Sequence, residues 1–87
     1  MSQVAIVTGA ARGIGRACVE RLVTDGYRVV ACDIAIDELR QWVDSSPLNE
    51  GITAHKLDVA DVEAGQQLVS ETVKMHGRVD ALANVAG

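Results

Sequence analysis

Apolar residues change their spacing several times along this chain, and the changes mark out a repeating order of elements. Val4-Ala5-Ile6-Val7 is a continuous apolar run stopped by Thr8-Gly9, the pattern of a strand buried on both faces of a parallel sheet. Beyond a glycine-rich turn, Ile14, Ala17, Cys18, Arg21 and Leu22 recur at helical spacing, and Asp25-Gly26 ends a helix of about three turns. Arg28 to Asp33 repeats the strand pattern and finishes on a carboxylate. Leu39, Trp42 and Val43 predict a short second helix, with Asp37 and Glu38 in the first turn where negative charge suits the helix dipole, and Ser45-Ser46-Pro47 ends it. Thr53 to Leu57 alternates weakly, a third strand that runs into Asp58-Val59. Val62, Leu68, Val69 and Val73 then line one face of a longer helix, capped by Asp61 and closing at His76-Gly77. Gly65 falls on that face and costs the helix about 1 kcal/mol relative to Ala, so close approach to the sheet is its expected justification. Val79 to Asn84 is the fourth strand.

Strands alternating with helices at this pitch predict an α/β fold, a Rossmann-type doubly wound parallel sheet with right-handed crossovers. Short crossovers give the strand order 3-2-1-4, with the fourth strand an open edge where a further strand normally docks. Residues 1–87 are therefore expected to be the N-terminal part of one such domain, truncated after the fourth strand.

Composition narrows the function classes. The 87 residues are 48% hydrophobic and carry a net charge of −4 spread along the chain, which disfavours nucleic-acid binding. Only Tyr27 and Trp42 are aromatic, too few for base-stacking platforms. No stretch approaches the roughly 18 apolar residues of a membrane helix, so the chain reads as soluble, unexported and without a membrane partner. Cys18 and Cys32 lack a CxxC spacing and sit in apolar segments; structural thiols in a reducing, cytoplasmic setting are expected rather than a redox pair. His55 and His76 have no spaced Cys, His or carboxylate partners, and no metal is predicted. Glu71 and Lys74 read as a solvated helix face.

The turn Thr8-Gly9-Ala10-Ala11-Arg12-Gly13-Ile14-Gly15 lies between the first strand and its helix, where backbone N–H groups can face a pyrophosphate. It is not a triphosphate P-loop, because Arg16-Ala17 follows the last glycine instead of Lys-Ser or Lys-Thr, and Cys18 stands where GxGxxG needs its third glycine. Taken with Asp33 after the second strand, Asp58-Val59 after the third and Asn84-Val85-Ala86-Gly87 after the fourth, the chain from Val4 to Gly87 resembles the short-chain dehydrogenase/reductase family. The resemblance implies that the turn bearing Gly9, Arg12, Gly13, Ile14 and Gly15 binds the adenosine and pyrophosphate side of a nicotinamide dinucleotide, with Ile14 near the phosphates. It further implies that Asp58 and Val59 flank the adenine. Asn84, Ala86 and Gly87 match the family's Asn-Asn-Ala-Gly segment, in which Val85 replaces the second Asn.

Asp33 is the residue that separates the cofactors: a carboxylate at the end of the second strand accepts hydrogen bonds from the ribose hydroxyls of NAD and repels a 2′-phosphate. Arg12 argues for NADP, because a basic residue before the second glycine is common in NADP-using relatives, yet Ile34 rather than a second cation follows Asp33. The balance favours NAD. The family's catalytic Ser and Tyr-x-x-x-Lys have no counterpart here, since Tyr27 is the sole tyrosine and residue 31 is Ala. The expected function is thus the NAD-binding half of an oxidoreductase. Its intact parent, implied to be a homo-oligomer, would move a hydride between NAD(H) and a small-molecule alcohol or carbonyl substrate, whereas the chain alone would be inactive. A stand-alone dinucleotide-binding module or redox sensor is the open alternative.

Overall fold

The computed structural model describes residues 2–85. Its elements run β1 (Val4–Thr8), α1 (Gly13–Thr24), β2 (Arg28–Asp33), α2 (Ile36–Ser45), a short 3-10 turn (Asn49–Gly51), β3 (Ile52–Lys56), α3 (Val62–His76) and β4 (Ala81–Asn84). The four strands form one parallel sheet in the order β3-β2-β1-β4, as the crossover argument requires. Every residue of β1 is buried, which fits its continuous apolar run and its place between two neighbours.

Side-chain alternation divides the core into two layers. Val7, Val29 and Ala31 point to the face covered by α1 and α2, where they meet Val19, Leu39 and Val43. Ile6, Val30 and Cys32 point to the opposite face, where α3 supplies Leu68 and the β3–α3 connection supplies Leu57. The register sets Ile6 beside both Val30 and Leu82.

Three local expectations shift. β3 begins one residue earlier than Thr53 and ends at Lys56, although Leu57 is buried just beyond it. β4 begins at Ala81 rather than Val79; Asp80 sits outside the strand, where its N–H donates to the Val4 carbonyl and its carboxylate accepts the Val4 N–H, both at 2.8 Å. Gly65 is not explained by close packing, since a Cβ there would meet nothing within 4 Å. It lines an open groove beside α3. Asp61 does cap α3, accepting the Ala64 N–H at 3.0 Å.

Candidate functional site

The C-terminal ends of all four strands lie along one edge of the sheet, and the strand order reverses between β1 and β4. In open α/β sheets this is where ligands settle. Thr8 and Asn84, paired in register at that reversal, are joined by a hydrogen bond from Thr8 Oγ1 to Asn84 Oδ1 at 2.8 Å. Asn84 is thereby tied to the start of the glycine turn 76 residues away in the chain. Ala86 and Gly87 lie outside the described residues.

The three glycines of the turn are needed for different reasons. Gly9 has φ 68° and Gly13 has φ 61°, left-handed conformations that a side chain strains. Gly15 has ordinary helical backbone, but a Cβ there would lie 1.8 Å from the Gly9 carbonyl oxygen. At Gly15 the missing side chain serves first to let α1 pack on the turn. Over Gly13, by contrast, a Cβ would point into open space.

Helix α1 starts at this turn with no acidic residue in its first turn and no side-chain cap from Arg12. The N–H groups of Gly13, Ile14 and Gly15 have no carbonyl one turn earlier to bond. Among the described residues none of the three has a backbone partner outside the helix, and the Arg16 N–H reaches the Arg12 carbonyl only at 3.5 Å. Uncompensated donors at the positive end of a helix favour an anion. Ile14 is 79% exposed, so its side chain extends away from the core beside these donors.

Asp33 closes β2 next to the turn. Its Oδ2 accepts the Ala11 N–H at 3.0 Å, and its Oδ1 accepts the Ala35 N–H at 2.9 Å at the entry to α2. The turn-stabilising role and a ligand-facing role therefore coexist, because each carboxylate oxygen retains capacity for a second bond. Gly9, Asp33, Ile34, Leu57, Asp58 and Val59 line a recess of about 230 Å³. Asp58 accepts the Ala60 N–H at 2.9 Å, which shapes the bend after β3, while Val59 and Ile34 offer exposed apolar walls. Arg12 Nη2 is 2.9 Å from Glu38 Oε2 in α2, an ion pair between exposed side chains.

Sequence reasoning left Ala11 and Leu57 without roles at the site, and the Thr8–Asn84 bond unforeseen; only distances across the sheet edge bring them in. Cys32, buried under the turn, is a free thiol pushed up to about 12 by burial and by the nearby Asp33 charge, which keeps it a thiol rather than a reactive thiolate. Cys18 is half-buried on α1 and also free. Among the described residues no helix is long and apolar enough to cross a membrane.

Known proteins carry the same arrangement. The acetoacetyl-CoA reductase of an Acinetobacter species is 38% identical over 88 residues, a match that takes in 98% of this chain and 36% of that protein. L-rhamnose 1-dehydrogenase (NAD(P)(+)) of Azotobacter vinelandii is 42% identical over 89 residues, covering 94% of this chain and 34% of the relative. Among solved structures, ElxO with NADP bound superposes with a TM-score of 0.92 at 28% identity over 100% of this chain and 36% of that one. A short chain dehydrogenase/reductase from Burkholderia phymatum in complex with NAD gives 0.84 at 28% identity, over 93% of this chain and 29% of that one. The chain thus spans about a third of the length of these proteins. The short chain dehydrogenase family model matches residues 3–87, and with the sheet order, the glycine turn and the strand-end carboxylate in place, this chain belongs to the short chain dehydrogenase family.

Proposed function

We propose that these 87 residues hold the dinucleotide of an oxidoreductase acting on CH–OH groups, and that the dinucleotide is NAD. The free N–H groups of Gly13, Ile14 and Gly15 and the open space over Gly13 suit a pyrophosphate. The recess walled by Ile34, Asp58 and Val59 suits the adenine, and Asn84 at the end of β4 borders the cofactor; Ala86 and Gly87 are assigned to the cofactor by the sequence resemblance alone. Asp33 is the observation that carries the choice of NAD. Asp33 lines the recess, its carboxylate has hydrogen-bonding capacity left for ribose hydroxyls, and its charge opposes a 2′-phosphate. Arg12, the residue that would welcome that phosphate, is paired with Glu38.

When bound, the nicotinamide accepts or donates the hydride. What this chain's residues contribute is binding and orientation. Proton transfer needs an acid–base group, and without a Tyr-x-x-x-Lys in these 87 residues it is assigned to residues outside them. Such groups contribute about 10²–10⁴-fold, so residues 1–87 alone are expected to show no turnover. The same reading takes the parent as a cytoplasmic homo-oligomer.

Titrating NAD and NADP against the intact protein and its Asp33→Ala variant tests the choice of cofactor. The wild type should prefer NAD by about 1–3 kcal/mol, and the variant should lose most of that margin. Tighter binding of NADP by the wild type would overturn the NAD reading and move the deciding role to Arg12.

A further inference from the structure

Arg16 follows the last glycine of the turn, and neither it nor Trp42 has a part in the site described above. Arg16 Nη2 donates to the Ala11 carbonyl at 2.6 Å, and the guanidinium carbon lies 5.0 Å from the centre of the Trp42 ring, across on α2. Its buried Nε has no partner among the described residues, so these two contacts hold the group. We infer that Arg16 and Trp42 form a brace that presets the glycine turn for its ligand, making both of them positioning residues for dinucleotide binding. The inference rests on the cofactor reading of the turn.

The geometry of one peptide unit carries the argument. Ala11 is fully buried and held from both sides: its N–H donates to Asp33 Oδ2 at 3.0 Å, and its carbonyl accepts from Arg16. No peptide bond in the described chain is cis, so the N–H of Arg12 points opposite to the Ala11 carbonyl across the same planar unit. Holding that carbonyl on the Arg16 guanidinium therefore fixes the plane of the unit, and with it the direction of the Arg12 N–H one residue before the left-handed Gly13. Without the brace, the unit between Ala11 and Arg12 could rotate against the left-handed Gly13, and the N–H groups of Gly13, Ile14 and Gly15 that follow it would lose their preset direction.

The brace also closes a circuit. Asp33 binds Ala11 with one oxygen and the Ala35 N–H at the entry of α2 with the other. Helix α2 carries Trp42, which stacks on Arg16, which returns to Ala11. A planar guanidinium suits this position because it stacks on an aromatic face while donating in its own plane; an ammonium does only the second. Ordering the turn before the ligand arrives removes part of the entropic cost of binding.

The test compares NAD affinity and amide hydrogen exchange in the intact wild type, Arg16→Met, Arg16→Lys, Trp42→Leu and the Arg16→Met/Trp42→Leu double variant. Arg16→Met keeps the apolar stem and removes the donor; it should bind NAD about tenfold more weakly. Arg16→Lys should recover part of the loss. Trp42→Leu should weaken binding in the wild type and have little further effect in Arg16→Met, because it acts through the arginine. Exchange at Arg12 and Gly13 should accelerate in Arg16→Met while that of Val7 and Val29 in the central strands stays as in the wild type. NAD binding unchanged in Arg16→Met, or additive losses in the double variant, would overturn the brace. A wild type that binds no NAD would instead overturn the cofactor reading, and the brace would then stand or fall on whether Arg12 and Gly13 exchange differs between wild type and Arg16→Met.

Discussion

The two faces of this sheet are built from alternate residues of the same strands, yet they are finished to different degrees. On one face α1 and α2 lie side by side, and Val7, Val19, Val29 and Leu39 are fully buried beneath them. On the other, α3 lies alone; Leu68 is buried, but Leu82 in β4 is 61% exposed and Val62 in α3 is 68% exposed. Between α3 and β4 runs an apolar groove of about 400 Å³, with Ile6, Leu57 and Leu82 in its walls. The asymmetry follows from topology. Two right-handed crossovers toward β3 put two helices on one side, and the single crossover back to β4 puts one helix on the other. Leu39 and Leu82 show the result: the same residue type is sealed or open according to how many helices cover its face, and the ligand-facing turn is attached to the sealed one.

The contrast should be largest at Leu39. Leu39→Ala empties part of the finished core and should cost about 2–5 kcal/mol in denaturant unfolding. A cost below about 1 kcal/mol would mean that this layer packs more loosely than its burial indicates.

Gly15→Ala attacks the same face where α1 meets the turn. The added Cβ would overlap the Gly9 carbonyl oxygen, so the turn must shift, at about 1–3 kcal/mol or more. NAD binding should be lost with it. Gly13→Ala tests the distinction between the glycines: its Cβ has room, and its penalty should come from the left-handed backbone alone, about 1 kcal/mol.

Acid should loosen the open side through Asp80, where β4 begins beside β1. The Arg78 side chain, hydrogen-bonded to this carboxylate, and the Val4 N–H hold its pKa below the ordinary 3.8, with desolvation opposing them. A carboxyl whose pKa is lowered on folding contributes stability above the unfolded value and loses it as pH falls through the folded one. The stability difference between wild type and Asp80→Asn should therefore be constant near neutrality and disappear only below about pH 3.8. A difference that persists through strong acid would assign Asp80 a role independent of charge.

The smallest effect is expected at Leu82. Leu82→Ala removes a side chain that is mostly in water already and should change stability by no more than about 0.5 kcal/mol. A loss comparable to that of Leu39→Ala, growing with protein concentration, would show that the groove is covered in solution and that the two faces are equally finished.

Much of this was legible in the residues. The continuous run Val4 to Val7 marked a central strand because a strand covered on both faces has no polar side to show. The order β3-β2-β1-β4 followed from crossover handedness. Asp61 was legible as a cap because its partner is three residues away. Gly65 misled, since helical periodicity locates a residue on a face but does not say whether anything covers that face. Arg12 was legible as a cation and not as half of an ion pair, because Glu38 lies 26 residues further on.

By itself, then, the sequence determined which segments form strands and helices, where the glycine turn falls and which carboxylate ends the second strand, because these depend on local spacing and backbone preference. Only the tertiary structure decided why Gly15 must be glycine, that Thr8 is bonded to Asn84, and that Ala11 is held between Asp33 and Arg16. Those contacts join residues through the direction of a Cβ or a carbonyl after the sheet and helices have packed. Periodicity carries no record of such directions.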